Sequence, residues 1–294
     1  MRDQAEILRL KIEAASSDQP TKVFSVLSGK GGVGKSNVAV NFSLALSKLG
    51  KRVLLVDLDI GMGNVNLLLG SPSRRTIVDL LDQRLSIWEI IEKGPGNLSF
   101  IAGGSGLTRM VDMDERKSAF FAAQLQDLSS IYEYIVFDIG AGVSETSLNF
   151  IMAGHEAILV TTPEITSVTD AYSMIKMLHA RCPELPVFTV VNQCRSTREA
   201  MEVHQRLAKV TSEFLNKEIK NLGSVPFDPS VQLAVKRQKP FLLHQPRSPA
   251  SAGIIRAAHQ FSGNVKEEQS ISYQRFIERL TAFFKKGRDE SWKR

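Results

Sequence analysis

Written as apolar and polar positions alone, the chain alternates between two rhythms. Short segments that are apolar almost throughout give way to longer ones in which apolar residues return every three or four positions. The short segments are KVFSVLS (22–28), KRVLLVDLD (51–59), LSFIAGG (98–104), YIVFDIG (134–140), EAILVTT (156–162), LPVFTVVN (185–192) and NLGSVP (221–226). A strand with no polar face is one covered on both sides, as in a parallel sheet between two helical layers. The helical rhythm occupies SNVAVNFSLALSKLG, closed by Gly50, and returns near 114–130, 144–153, 166–180 and 196–216. Strand, helix, strand in succession predicts an α/β fold: one domain over residues 22–265, a mostly parallel twisted sheet flanked by helices.

Both ends break the rhythm. The polar, proline-containing SSDQPTK (16–22) supplies a linker over 16–21, which sets off residues 1–15; there Met1, Ala5, Leu8, Ile12 and Ala15 share one helical face. A helix that short orders on a partner rather than alone. GNVKEEQS (263–270) sets off the tail, 270–294, where Tyr273, Phe276, Ile277, Leu280, Phe283 and Phe284 form an apolar face opposite Arg275, Glu278, Arg279, Lys285 and Lys286. Aromatic residues opposite cations mark an interfacial membrane helix, with Phe276, Ile277, Leu280, Phe283 and Phe284 as the inserting residues. A last helix packed on the domain would need an apolar face too.

Composition narrows the class only a little. The 294 residues are 43% hydrophobic and 23% charged, ordinary for a soluble globular chain. A net charge of +6 suits an anionic partner, but spread over the chain it is weak support for nucleic acid. Cys182 and Cys194 have no metal-type spacing and read as thiols of a reduced, cytoplasmic setting. MRDQAEILRLKIEA lacks the apolar centre of a signal peptide, and no window reaches the roughly 18 apolar residues of a membrane span.

The chemistry starts at SGKGGVGKS (28–36), where Gly29, Gly34, Lys35 and Ser36 fill every fixed position of a phosphate-binding loop between a strand and a helix. Such a loop turns the backbone N–H groups of Gly29, Lys30, Gly31, Gly32, Val33 and Gly34 toward phosphate, with Asn37 in the first helical turn. Lys35 reaches the terminal phosphates and the Ser36 hydroxyl serves Mg²⁺. Asp57 and Asp138 end neighbouring apolar strands, as a carboxylate near that metal should, and Asp59 can orient an attacking water. At a late strand end Asn192 is followed by Gln193, Cys194 and Arg195, and an arginine cannot accept the N–H groups of guanine. Adenine is the expected base, with Asn192 and the backbone around Val225-Pro226-Phe227 as its contacts.

Lys30 is a second lysine that a phosphate loop does not need. Lys30-Gly-Gly-Val-Gly-Lys35-Ser36, Val56-Asp57-Leu-Asp59-Ile-Gly61, Asp138-Ile-Gly-Ala-Gly142 and Val225-Pro226-Phe-Asp228 together resemble the MinD/ParA family of deviant Walker A ATPases, over about residues 22–260. The resemblance implies ATP and ADP as ligands, with Mg²⁺, and an ATP-dependent homodimer. Lys30 would enter the partner subunit's site, Asp59 would activate water, Ser36 and Asp138 would serve the metal, and Asp57 would support them. Gly140 stands where many relatives have proline. Asp3-Gln4-Ala5-x-x-Leu8-Arg9 resembles the N-terminal motif of the flagellar FlhG group of that family. That implies stimulation of the signal-recognition-type GTPase FlhF, contact with flagellar basal-body components and the inner face of the cytoplasmic membrane, and control of flagellar number and placement. Two alternatives share the scaffold: a division-site or DNA-partitioning ATPase, and a metabolic ligase with no use for amphipathic ends.

Overall fold

The computed structural model describes residues 20–59, 63–104, 115–129, 131–140, 144–263 and 272–290. Asp3, Gln4, Ala5, Leu8 and Arg9 lie outside the described residues, as do Gly61 and Gly142.

The described chain runs β1 (Lys22–Ser28), α1 (Lys35–Lys48), β2 (Val53–Asp57), α2 (Val65–Leu69), α3 (Ile77–Gln83), β3 (Glu92–Lys93) and β4 (Ser99–Ile101). It continues through α4 (Glu115–Gln126), β5 (Tyr134–Asp138), α5 (Glu145–Ala153), β6 (Glu156–Thr161), α6 (Ile165–Arg181), β7 (Val187–Cys194) and α7 (Thr197–Leu215). Last come β8 (Lys220–Pro226), α8 (Pro229–Lys236), α9 (Phe241–His244), α10 (Pro249–Gly263) and α11 (Tyr273–Glu290). The strands form one sheet in the order β3-β4-β2-β5-β1-β6-β7-β8. All pairings are parallel except β3 with β4.

The fully apolar strands are covered on both faces, as their pattern predicts. Along β5, Ile135 and Phe137 join a core built with α3 to α6 and α11, while Tyr134 and Val136 join the opposite core with α1 and α10. The second core centres on Phe24, Phe42 and Phe261, whose ring centroids lie 4.8 to 5.9 Å apart. Each such aromatic pair adds about 1 kcal/mol beyond its buried area.

Local signals explain most element ends. Ser196 caps α7 by accepting from Glu199 N, Asp228 caps α8 ahead of Pro229, and Asn216 closes α7 in the left-handed region. The capping box of α3, Thr76 with Asp79, starts a helix that the apolar rhythm alone does not single out. That rhythm also passes over α2 and the two-residue β3, elements too short to establish a period.

The tail departs most from expectation. α11 is part of the domain, packed on α4 and α5. Phe276 and Leu280 have no exposed surface, Tyr273, Ile277 and Phe284 are buried, and Phe283 is partly buried. Tyr273 Oη donates to the Leu125 carbonyl at 2.6 Å, and Arg279 reaches Glu184 at 3.0 Å. The face expected to enter a bilayer is thus sealed against the protein, because α4 and α5 offer it an equally apolar seat. None of the described helices is long and apolar enough to cross a membrane. Cys182 and Cys194 are both buried free thiols.

Candidate functional site

Every residue singled out for chemistry within the described chain lies at or just past the carboxyl-end edge of the parallel sheet. That edge is where ligands of open α/β sheets sit, and β1, flanked by β5 and β6, feeds its centre. The loop Gly29–Gly34 follows β1, Asp57 ends β2, Asp138 ends β5, Asn192 is near the end of β7 and Pro226 ends β8.

The loop is held by close backbone packing. A Cβ on Gly29 would lie 2.3 Å from the Asp170 carbonyl oxygen, so only glycine lets the loop rest on α6. Gly34 has φ 84°, a left-handed conformation that turns the chain directly into α1. No side chain caps α1 and no acidic residue stands in its first turn, so its first N–H groups face the cleft with the helix's positive end. Val33 is buried, and its carbonyl accepts from Asn192 Nδ2 at 2.7 Å. Asn192 therefore braces the loop as well as facing the cleft. Gly31 and Gly32 lie exposed at the turn.

The charged centre is compact. Lys35 is buried and pairs with Asp138, and its Nζ also lies 3.1 Å from Ser36 Oγ. Asp57 sits directly across the β2–β5 ladder from Asp138. Burial, then the Asp138 charge, push the Asp57 carboxyl up to about 7. Burial also raises Asp138, against the opposing pull of Lys35. Asp57 accepts from Asp59 N at 3.0 Å and from Val65 N at 3.2 Å, so it ties Asp59 to the start of α2. The Asp59 carboxylate lies against Gly140, where a Cβ would approach Oδ1 to 2.8 Å. The lack of a side chain at 140 is what admits the acid there.

A cleft of about 400 Å³ opens beside the loop, bordered by Asn37, Asn192, Gln193, Pro226, Phe227 and Val235. Its apolar walls with a few amide groups suit a flat base. Phe227 lies in the segment Val225-Pro226-Phe227 expected near the base, whereas Gln193 was not singled out in the sequence. Gln193 holds φ 58°, rare for a residue with a side chain, and its position next to Asn192 was the available signal.

Lys30 points away from the buried centre. Its Nζ lies 2.5 Å from Glu164 Oε2 and 3.0 Å from Thr166 Oγ1 at the start of α6, and the pair is open to solvent. Glu164 and Thr166 also escaped the sequence reading, although they follow an apolar strand beside β1.

The family model of the CobQ/CobB/MinD/ParA nucleotide binding domain matches residues 24–241. Antiactivator FleN of Pseudomonas aeruginosa is 37% identical over 83% of this chain and 87% of its own length. The flagellum site-determining protein YlxH of Helicobacter pylori is 32% identical over 74% of each chain. Among solved structures, the septum site-determining protein MinD of Pyrococcus horikoshii, complexed with Mg-ADP, is similar with TM-score 0.71 and 27% identity, over 85% of this chain and all of that one.

Proposed function

Because this chain belongs to the CobQ/CobB/MinD/ParA nucleotide-binding family, we propose that it is an ATPase switch that regulates flagellar number and placement. One observation carries the reading: a complete phosphate loop with a buried Lys35, and a second lysine, Lys30, on the outside of the same loop. The flagellar titles of the FleN and YlxH relatives support the cellular role.

The residues present fit ATP with Mg²⁺. The uncapped start of α1 offers N–H donors to phosphate, and Lys35 is positioned to exchange Asp138 for a phosphate oxygen. Ser36, Asp138 and Asp57 would hold Mg²⁺, which supplies positive charge to the terminal phosphates. Asp59, tied to Asp57 and resting on Gly140, would orient the attacking water and take its proton. The cleft at Asn192, Gln193 and Phe227 would take adenine.

Lys30 would leave Glu164 for the triphosphate of a second copy, so that an intact γ-phosphate stabilises the dimer and its hydrolysis dissolves it. Membrane insertion of the aromatic face of α11 would require that helix to leave its seat on α4 and α5. Residues 1–15 would stimulate FlhF, with Gln4 and Arg9 supplying polar and positive groups to the GTPase site.

The test is the GTP turnover of FlhF with the full chain and with a chain lacking residues 1–20. Stimulation is expected to vanish with the deletion, and stimulation that survives it would overturn the flagellar reading. A division-site or partitioning ATPase would leave FlhF unaffected in both arms.

A further inference from the structure

The positive charge of this protein is not evenly spread, contrary to the first impression from its composition. From Pro229 to Gly263 the chain carries five Lys and Arg residues and not one Asp or Glu. Four of them, Lys236, Arg237, Lys239 and Arg247, fall on the end of α8 and around α9. All four are exposed, and none makes an ion pair or side-chain hydrogen bond with another described residue. Several cations elsewhere on the surface pair with carboxylates, as Arg75 does with Glu89 and Arg181 with Glu145, while others, such as Lys48 and Lys176, stand singly among the described residues. Lys236, Arg237 and Lys239 fall within four consecutive positions, and the repulsion among such like charges is relieved by an anionic surface.

The same helix exposes apolar side chains among the cations. Leu233 and Val235 are 41% and 39% exposed, one turn or less from Lys236. A duplex phosphate backbone attracts the cations but gains nothing from leucine and valine. A bilayer with acidic headgroups attracts the cations and also takes apolar side chains into its boundary layer.

We propose that α8, α9 and the turns around them form a membrane contact selective for anionic phospholipid headgroups. It extends the membrane part of the reading above to a surface that α11 does not supply. It also explains how the protein can meet a bilayer while the aromatic face of α11 is still docked. Because Val235 and Lys236 also border the nucleotide cleft, this contact lies next to the site whose occupancy would govern the switch.

The experiment is flotation of the full chain with phosphatidylcholine vesicles, neutral or containing about one-third phosphatidylglycerol, at low salt and at about 0.5 M salt. The wild type should bind the acidic vesicles, and high salt should release it. The variant R237S/K239S/R247S should bind about 100-fold more weakly, about five-fold for each charge removed. Its nucleotide binding should be unchanged, since none of the three borders the cleft. Leu233→Ser should weaken vesicle binding several-fold and leave any binding to duplex DNA untouched.

Equal binding by wild type and triple variant, or no vesicle binding by the wild type, overturns the proposal. Binding that survives 0.5 M salt assigns the contact to α11 and also overturns it, while supporting the tail-helix reading. Tighter binding of duplex DNA than of acidic vesicles, lost in the triple variant, overturns it in favour of nucleic acid.

Discussion

Lys30 Nζ and the Glu164 carboxylate meet at 2.5 Å, joining the phosphate loop to the first residues of α6 across the surface. Solvent-exposed pairs of this kind contribute roughly 0–1 kcal/mol, so the contact can hold the lysine without trapping it. Lys30→Ala should abolish self-association in a slowly hydrolysed ATP analogue, read by analytical ultracentrifugation. Glu164→Gln should leave association intact or strengthen it up to about five-fold, since Lys30 no longer gives up a partner. A weaker dimer in Glu164→Gln would mean that the glutamate itself serves the interface.

Asp59 and Gly140 support a second expectation. Asp59→Ala should remove turnover while dimers accumulate with ATP. Gly140→Ala should force the Asp59 carboxylate from its place, lowering kcat about ten-fold or more with little change in KM. Turnover as fast as wild type in Gly140→Ala would show that Asp59 acts from another position.

The docked α11 makes a stability expectation. Phe276 is fully buried, with its ring 6.1 Å from Phe137 and stacked 6.5 Å from His155. Phe276→Ala should destabilise the domain by about 3–5 kcal/mol in chemical denaturation. A loss near zero would mean that the helix spends most of its time off the domain in solution.

His204 should set part of the acid limit. It is half-buried on α7, its Nδ1 lies 2.7 Å from Thr189 Oγ1, and burial pushes its imidazole below the usual 6.5. The unfolded chain therefore takes up the proton first. The stabilisation is present above pH 6.5 and is lost as pH falls through the folded value. Melting curves at about pH 7.5 and pH 5.5 should show a larger drop in Tm for wild type than for His204→Gln. Equal drops would remove His204 from the account.

How much the sequence disclosed follows from the length of each signal. The central strands β1, β2, β5, β6 and β7 were legible because burial on both faces leaves no polar positions in them. The gathering of Lys35, Ser36, Asp57 and Asp138 at one edge of the sheet was legible because the loop spacing and the ends of two apolar strands fix their positions. Gln193 was not, since the wall of such a cleft can be built from many side chains. Glu164 and Thr166 were hidden because their contact with Lys30 spans more than 130 positions. The docking of α11 was undecidable from its pattern, as an apolar stripe is the same whether it meets lipid or protein.

Gly29 gives the molecule a final property. With the Asp170 carbonyl only 2.3 Å from where its Cβ would be, loop and helix are pressed backbone to backbone, with no flexible side chain between them to absorb a shift. A shift of the loop at Gly29 would therefore press directly on α6. A protein bound to the outer face of that helix could read the loop's occupancy without ever touching the nucleotide.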